Sequence, residues 1–581
     1  MTTRPLRAPN EVRQTLKVRL HSLYDDAAAE AAYESLMALV ENRPRREDAY
    51  ALSERDALLI AYGDHVRRPG EAPLATLQRL LADLSVPANS LHLLPFYPYS
   101  SDDGFSVIDY EQVDPALGNW DDIHRLGHDY RLMFDAVFNH ISAHSAWFQA
   151  FTRGVKPYDE YFIVADPATD LSLVTRPRAL PLLTPVQTPS GVQHVWTTFS
   201  ADQIDLNFAN PAVLVDVVRI LLEYVEHGAA LIRLDAIAFL WKAIGTTCIH
   251  LPETHTVNKI LRDMLDLTAP SVLMITETNV PHDENISYFG DGVDEAQLVY
   301  QFPLPPLIAH SLLSGSAHRL IDWAATIAPV SESTTFFNFT ASHDGVGMRP
   351  ATGLLDKDEA AALVNMAMTH GGQVSYKTNS DGSHSPYELN ITYFDLITAP
   401  EVTEHEPDVA IKRFLVSQAI MLAMIGVPGI YFSSLFGSHN DYRGVEHSGR
   451  ARSINRHKYD DAHLRAALAD PASLPARVLA GYRHLLAART NEPAFHPLGS
   501  QRVVAADDRV VALMRTAPDE SARVLALHNI SGAPVPLSIP AEEVTSWHDL
   551  LSGRSYSANE NGTLSIELEP YQIAWLKAVE R

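Results

Sequence analysis

Short apolar runs alternate with amphipathic, helix-like stretches over most of the chain. Uninterrupted runs of Ile, Leu, Val and Met are typical of strands buried on both faces of a parallel sheet. The strand candidates are residues 57–62, 91–94, 132–135, 230–235, 272–276, 298–302, 336–342 and 429–432. Eight such strands with helical stretches between them predict an α/β fold, a (β/α)8 TIM barrel.

Three segments depart from this alternation. Residues 11–41 carry apolar positions spaced by three and four, which predicts two helices ahead of the barrel. The stretch after the third strand is rich in Pro and Thr and too long for an ordinary loop. The chain beyond residue 490 contains short β-like runs. The predicted divisions are an N-terminal helical extension (1–54), a catalytic barrel (55–140 and 209–489), an inserted B domain (141–208) and a C-terminal antiparallel β domain (490–581).

The amino-acid composition limits the kinds of molecule that the protein is expected to bind and the compartment in which it is expected to act. The 581 residues include 45 Lys and Arg against 71 Asp and Glu, a net charge of −26 that argues against nucleic acid and anionic membranes. Residues 1–10 lack an apolar signal region, and no apolar run reaches about 18 residues. Cys248 is the only cysteine, so no internal disulfide is expected. These features predict a cytoplasmic protein.

Four polar groups follow strand candidates in chain order: His140, Asp235, Glu277 and Asp344. Side chains at the C-terminal ends of barrel strands converge on one face, where catalytic groups lie. Retaining glycoside chemistry needs two carboxyl groups about 5 to 5.5 Å apart. Asp235 and Glu277 end neighbouring strands, so we expect Asp235 to be the nucleophile and Glu277 the acid/base.

Neighbouring residues suit this chemistry. Arg233 precedes Asp235 by two positions and therefore points the same way, which would keep the carboxylate ionised. His343 and Asp344 could hold sugar hydroxyls, and His140 could donate to the same sugar. Taken singly, an aspartate at a strand end is more often a helix cap. Together the four positions favour glycoside chemistry.

The segments 135–140, 232–236, 275–278 and 341–344 resemble the conserved regions of the alpha-amylase superfamily, glycoside hydrolase family 13. The resemblance implies Asp235 as nucleophile, Glu277 as acid/base and Asp344 as transition-state stabiliser. Ordinary amylases carry a Lys-His pair after the nucleophile, where this chain has residues 237–239. The next stretch, with Lys242 and residues 245–248, resembles the sucrose-phosphorylase subfamily, in which phosphate releases glucose as α-glucose 1-phosphate.

Further segments extend this resemblance. Residues 94–96, 102–105, 176–181 and 454–456 are similar to that subfamily, while the extension and residues 276–282 and 385–390 look most like its glucosylglycerate phosphorylases. The resemblance implies that the donor glucose is held by Asp102, Phe105, His140, Arg233, His343 and Arg456. It also implies that Arg178 binds phosphate and that Tyr387 exchanges with it on a loop. The planar guanidinium of an arginine suits phosphate because it binds oxyanions bidentately.

The sequence says less about the acceptor, the molecule to which the glucose is attached in the substrate. Glycerate carries a carboxylate, whose site needs a cation or backbone amides, and Arg178, Lys377 and His384 lie in suitable loops. The first interpretation is reversible phosphorolysis of 2-O-α-glucosyl-D-glycerate through a β-glucosyl ester. Phosphorolysis of sucrose or sucrose 6-phosphate, and an α-glucoside hydrolase or transglucosidase, stay open. A non-catalytic barrel is disfavoured because all three carboxylates are present.

No cofactor is expected besides phosphate as co-substrate. The chain has no Walker loop, no dinucleotide fingerprint after a strand and no His-Glu-x-x-His spacing. Asn139 could bind calcium as in many amylases, but the subfamily resemblance implies no metal. The expected partners are a small sugar and phosphate, with no nucleic acid or membrane, and a homodimer stays open.

Overall fold

Eight parallel strands close into a barrel in the computed structural model, which describes residues 6–46, 51–379, 383–541 and 544–579. The outermost residues of the predicted extension and β domain, 1–5 and 580–581, and residues 47–50 lie outside this description. Neighbours in the barrel follow chain order, so each strand pairs with the next and the last with the first. The strands are β1 (Leu58–Ala61), β2 (Ser90–Leu93), β3 (Arg131–Ala136), β4 (Ala229–Leu234), β5 (Leu273–Thr276), β6 (Leu298–Tyr300), β7 (Thr335–Phe339) and β8 (Val427–Tyr431).

The predicted fold class is confirmed. Strands β1, β2, β5 and β7 are buried at every position, and the continuous apolar run of β1 is typical of a strand covered on both faces. The sixth and seventh strands end earlier than predicted. Beyond Phe339 the carbonyl oxygens of Ser342 and Asp344 accept hydrogen bonds from the side-chain amide of Asn455, at 3.2 and 2.7 Å, instead of from a neighbouring strand. Asp344 therefore lies in a loop rather than directly at a strand end.

Helices surround the barrel and begin with ordinary capping signals. Asn210 caps one of them with Pro211 at its first position, and Asp356 caps another. The main helices after β1 are Pro73–Leu84, Trp120–Asp129, Pro211–Glu226, Pro252–Thr268, Leu304–Ser314, His318–Ala324, Lys357–Thr369, Pro407–Ala423, Asp461–Ala469 and Leu474–Arg489. Shorter ones are Ala146–Thr152, His282–Ile286, Tyr393–Ile397, Pro400–His405 and Tyr442–Ser448.

The N-terminal extension forms helices Pro9–Leu23 and Asp26–Glu41. Arg19 of the first helix contacts Asp263 at 2.6 Å and Asp294 at 2.8 Å. The Asp263 side chain is fully buried. The extension is therefore fastened to the helical layer of the barrel.

Small antiparallel sheets from two segments of the chain lie over the face of the barrel where the strands end. In the insertion, Leu183–Thr188 and Gly191–Trp196 form an antiparallel hairpin, and His140–Ser142 pairs with Gln203–Asp205. Between β7 and β8, His384–Asn390 pairs with both Val346–Gly347 and Gln373–Thr378. The sheet between β7 and β8, which carries Tyr387, was not predicted from the sequence.

The C-terminal region consists of antiparallel strands packed around their own apolar cluster. One sheet contains Ser500–Val503, Val510–Thr516, Arg523–Asn529, Ile573–Val579, Ser546–Asp549 and Ser555–Ser557, and a separate pair contains Val535–Pro540 and Thr563–Leu568. None of these strands carries a residue that lines the cavity at the strand ends of the barrel.

Candidate active site

Asp235 and Glu277 occupy matching positions on neighbouring barrel strands. Leu234 of β4 pairs in register with Thr276 of β5, and each carboxylate residue follows directly. Adjacent strands lie about 4.8 Å apart, so the two side chains start at the same height of the barrel and one strand spacing from each other. Both line one cavity at the C-terminal face.

Arg233 contacts both of these carboxylates. Its Nη1 lies 2.8 Å from Oδ1 of Asp235, and its Nη2 lies 3.9 Å from Oε2 of Glu277. The arginine side chain is only 1% exposed and also pairs with the buried Asp135 of β3. Its Nε donates to the hydroxyl of Tyr300 at 3.1 Å. One buried cation thus fixes the relative orientation of the pair.

The contacts of Arg233 make the two carboxyl groups unequal. Burial raises the pKa of Glu277 to about 7, against the opposing charge of Arg233. Burial also raises the pKa of Asp235, and Arg233 again opposes the shift. Because Asp235 has the direct, charge-assisted contact and Glu277 the longer one, a proton shared by the pair resides on Glu277. An ionised nucleophile beside a protonated acid is the state that retaining chemistry requires.

The residue after Asp235 has an unusual backbone. Ala236 has φ of +50°, in the left-handed region that residues other than glycine rarely adopt. In this conformation its N–H donates to Oε2 of Glu277 at 3.2 Å. The turn that ends β4 therefore connects the two carboxylate residues a second time, through the backbone.

Asp344 is held by arginines that come from a distant loop. Arg452 pairs with Oδ1 of Asp344, and Arg456 Nη2 lies 3.8 Å from the same oxygen. Burial alone would raise the pKa of Asp344, but nearby charges, Arg452 above all, outweigh it and hold that pKa below its ordinary value. Asp344 is therefore a permanent anion beside the other two carboxyl groups, and the charges of Asp235 and Asp344 both raise the pKa of Glu277.

Most predicted sugar-binding residues line the same cavity as the carboxylates. The lining includes Asp102, Phe105, His140, His343, Arg178 and Tyr387. Arg233 lies beneath Asp235, and Arg456 lies behind the lining, where its Nε donates to the carbonyl oxygen of His343 at 2.8 Å. These two arginines are thus placed to orient other residues rather than to form the surface of the cavity.

Aromatic and strained residues shape one wall. The rings of Phe105 and His343 stack at 4.6 Å with an angle of 4° between their planes. Burial lowers the pKa of His343 to about 3, so the ring is neutral. Asp102 and Asp103 both have positive φ, and Arg456 Nη1 lies 2.6 Å from Oδ2 of Asp103. This turn presents Asp102 to the cavity.

Arg178 and Tyr387 face each other across the entrance. The guanidinium carbon of Arg178 lies 5.9 Å from the centre of the Tyr387 ring, and its Nη1 lies 3.9 Å from Glu388. Of the other residues considered for an acceptor carboxylate, Lys377 lines an adjoining cavity. His384 is exposed and lines neither.

Several residues of the site were missed by the sequence-based predictions. Asp135 and His92 form a buried pair at 2.6 Å beneath Arg233, and Arg452 and Glu388 hold each other at 3.1 Å beside Asp344. Arg349 lines the cavity as well. Asp135 and His92 had a signal, because both lie inside apolar strand runs where a polar residue needs a partner. Glu388 lies on the unpredicted strand His384–Asn390, and Arg452 and Arg349 lie in short turns without any periodic pattern.

Comparison with known proteins places the chain in a family. Residues 80–382 match the family described as Alpha amylase, catalytic domain. The glucosylglycerate phosphorylase of Allomeiothermus silvanus is 49% identical over 97% of this chain and 99% of its own length. The chain belongs to the alpha-amylase family. The glucosylglycerate phosphorylase of Spirochaeta thermophila is 45% identical over 96% of this chain and 97% of its own length.

The fold of other members of the alpha-amylase family is the same. The crystal structure of sucrose 6F-phosphate phosphorylase from Thermoanaerobacter thermosaccharolyticum gives a TM-score of 0.71 at 22% identity, covering 90% of this chain and 99% of that one. The predicted resemblance to the alpha-amylase superfamily and its phosphorylases is confirmed. No helix among the described residues is long and apolar enough to cross a membrane.

A lysine occupies the place where this alpha-amylase family member could hold a cation. Nζ of Lys242 lies 2.6 Å from Oδ2 of Asp205 and 2.8 Å from Oδ1 of Asn139. The Lys242 side chain is 2% exposed and Asp205 is fully buried. In the part of the chain that the structure describes, no three His, Cys, Asp or Glu side chains are grouped to hold a metal. The ammonium group thus lies where a cation bound to Asp205 and Asn139 would have to lie.

Treatment with EDTA is therefore expected to leave both activity and melting temperature unchanged. Lys242→Met should instead destabilise the protein by about 3–5 kcal/mol, because it leaves the buried Asp205 carboxylate unpaired. Thermal unfolding of the unaltered protein with and without EDTA, and of Lys242→Met, measures the effects on stability, and a phosphorolysis assay with and without EDTA measures the effect on activity. Activity that disappears with EDTA and returns with Ca²⁺ would show that a metal, and not Lys242, completes this site.

Proposed function

We propose that the protein is a retaining phosphorylase that converts 2-O-α-glucosyl-D-glycerate and phosphate reversibly into α-D-glucose 1-phosphate and D-glycerate. The observation that carries this proposal is the 49% identity to a glucosylglycerate phosphorylase over nearly the full length of both chains. The ionised Asp235 beside the protonated Glu277 supports the same chemistry.

In the first half-reaction, a carboxylate oxygen of Asp235 attacks the anomeric carbon of the glucose. The bond from that carbon to the glycerate oxygen breaks, and Glu277 gives its proton to the departing oxygen. The products are glycerate and a β-glucosyl ester on Asp235. Because Glu277 is now ionised, it is ready to act as a base.

In the second half-reaction, a phosphate oxygen attacks the anomeric carbon from the face that glycerate has left. Glu277 takes the proton from the phosphate, and the ester bond to Asp235 breaks with its electron pair returning to the carboxylate. Two inversions give net retention, so the sugar phosphate is the α-anomer. Asp344, an anion in the same cavity, stabilises the positive charge that develops on the sugar ring.

The remaining site residues take binding and positioning roles in this proposal. Asp102 and His140 hydrogen-bond hydroxyls of the glucose, and Phe105 packs against its C–H face. Arg456 and Arg233 position His343 and Asp235 respectively. At the entrance, Arg178 contacts phosphate and Tyr387 alternates with it.

Several further properties belong to the same proposal. Residues 55–140 and 209–489 form the catalytic barrel, with the extension 1–54, the inserted domain 141–208 and the β domain 490–581 as accessory parts. The enzyme acts in the cytoplasm on a small sugar and phosphate, without a metal or organic cofactor. Sucrose or sucrose 6-phosphate as donor is less supported, because the likeness to the sucrose 6F-phosphate phosphorylase structure is only 22% in sequence.

A donor panel tests the substrate. Phosphate-dependent release of α-glucose 1-phosphate is measured with glucosylglycerate, glucosylglycerol, sucrose and sucrose 6-phosphate at equal concentration. We expect glucosylglycerate to give the highest kcat/KM. A higher kcat/KM for sucrose or its phosphate would replace the glycerate assignment, and a rate indifferent to phosphate would favour a hydrolase or transglucosidase.

The pH dependence is set by the pKa of Glu277. With a pKa of about 7, the group is protonated at lower pH and loses its proton as the pH rises. The first half-reaction needs the proton, so kcat/KM for glucosylglycerate should fall about tenfold per pH unit above that value. α-Glucosyl fluoride is the control donor, because fluoride leaves without a proton. An equal fall with both donors would contradict the role of Glu277 as acid.

A further inference from the structure

A second cavity adjoins the catalytic cavity. Its volume is about 580 Å³, and it shares Pro177, Arg349 and Tyr387 with the cavity of the carboxylates. The catalytic chemistry described above does not use its remaining walls. These come from residues 171–176 of the insertion and from the sheet between β7 and β8 that carries Lys377.

The charge of this outer cavity is opposite to that of the whole protein. Its described lining contains three cations, Arg176, Arg349 and Lys377, and no acidic residue, although the chain has a net charge of −26. Leu171, Leu173 and Val174 supply apolar wall. A cavity lined by one sign of charge and by apolar groups focuses the electric field and concentrates small ions of the other sign.

Little acidic charge neutralises these cations. Arg349 Nη2 donates to Oε2 of Glu284 at 3.1 Å, and Glu284 is shared with His250. Burial lowers the pKa of Lys377, and the charge of Arg349 lowers it further. Among the described residues, Lys377 has no ion pair, so its half-buried ammonium is available to a mobile anion.

We propose that the outer cavity is a holding site for small oxyanions, from which they pass Arg349 to reach Asp235 and Glu277. The identity of these anions rests on the proposed function, in which both molecules that attack the glucosyl ester, phosphate and glycerate, are anions. Water is neutral and gains no comparable attraction. The cavity therefore favours transfer to phosphate or glycerate over hydrolysis.

Lys377→Gln tests the proposal because it removes one charge outside the catalytic cavity. At about 10 mM ionic strength, where charges act over about 30 Å, kcat/KM should fall roughly fivefold for phosphate in phosphorolysis and for D-glycerate in synthesis from α-glucose 1-phosphate. The loss is expected in KM and should shrink at high salt. Lys377→Arg should restore both values, and Lys412→Gln, an exposed lysine on the helix Pro407–Ala423, is the matched control for net charge.

Measuring phosphate and glycerate separately shows which anion uses the outer cavity. It also distinguishes a failure of the outer-cavity proposal from a failure of the proposed substrate. A loss for phosphate alone, or for glycerate alone, supports the site and identifies which anion uses it. The proposal would be overturned if kcat/KM for both anions fell no further in Lys377→Gln than in Lys412→Gln. It would also be overturned if hydrolysis of α-glucosyl fluoride fell equally, or if Lys377→Arg did not restore kcat/KM for the anion. If the unaltered enzyme does not use glycerate at all, the proposed substrate fails, while the phosphate measurement still decides the role of the cavity.

Discussion

Replacing Asp235 by Asn is expected to lower phosphorolysis by about 10⁵-fold or more, because the amide cannot form the glucosyl ester. The variant keeps the size and shape of the side chain. Arg233 would retain its contact with the buried Asp135 and so would not be left as an unpaired cation. The melting temperature should therefore stay within a few degrees, and the loss is measured as release of α-glucose 1-phosphate from glucosylglycerate and phosphate.

The matched control is Asp283→Asn, which makes the same chemical change at an exposed residue of the helix His282–Ile286. It should retain the activity of the unaltered enzyme. If Asp235→Asn kept more than about one per cent of that activity, another group would have to be the nucleophile. If Asp235→Asn lost activity only because it unfolded, the nucleophile would have to be identified in the unaltered enzyme instead. Mass spectrometry would then detect the glucosyl ester on the peptide that contains Asp235.

Glu277→Gln is expected to lower phosphorolysis of glucosylglycerate by about 10³-fold, since general acid catalysis of a poor leaving group is lost. The loss in ester formation should depend on the leaving group of the donor. With α-glucosyl fluoride, formation of the ester needs no acid and should be impaired far less, so the ester should accumulate when no good nucleophile is present. Rapid mixing with this donor and mass measurement of the quenched protein reports the accumulation.

Glu404→Gln, at an exposed site on the helix Pro400–His405, serves as the control for this second substitution. Equal losses with glucosylglycerate and with α-glucosyl fluoride would show that Glu277 is not the proton donor. In that case its 3.2 Å contact with the N–H of Ala236 would make it a residue that maintains the turn after Asp235.

The barrel and the positions of Asp235 and Glu277 could be predicted from local sequence. Both residues come directly after buried strands, and a parallel barrel brings such ends together whatever the loops do. For the same reason Arg233, two residues before Asp235, could be assigned to the same side of the strand. The structure adds the unequal contacts of Arg233, at 2.8 and 3.9 Å, which no spacing in the sequence could give.

The rest of the site depends on packing between distant segments. Arg452 reaches Asp344 from more than a hundred residues away in the chain, and Glu388 arrives on a sheet that was not predicted. His384–Asn390, the strand that carries Glu388, has no regular alternation of polar and apolar residues, so its own sequence does not predict a strand. Beyond the end of β7, the carbonyl oxygens of Ser342 and Asp344 likewise accept hydrogen bonds from the side-chain amide of the distant Asn455.

Transfer of glucose to phosphate through Asp235 is tested by identifying the products of glucosylglycerate by NMR with and without phosphate. We expect α-glucose 1-phosphate and D-glycerate in equal amounts, with negligible free glucose while phosphate is present. Free glucose formed at a rate that does not depend on phosphate would contradict transfer to phosphate. β-Glucose 1-phosphate would contradict the ester on Asp235, because a single displacement inverts the anomeric carbon.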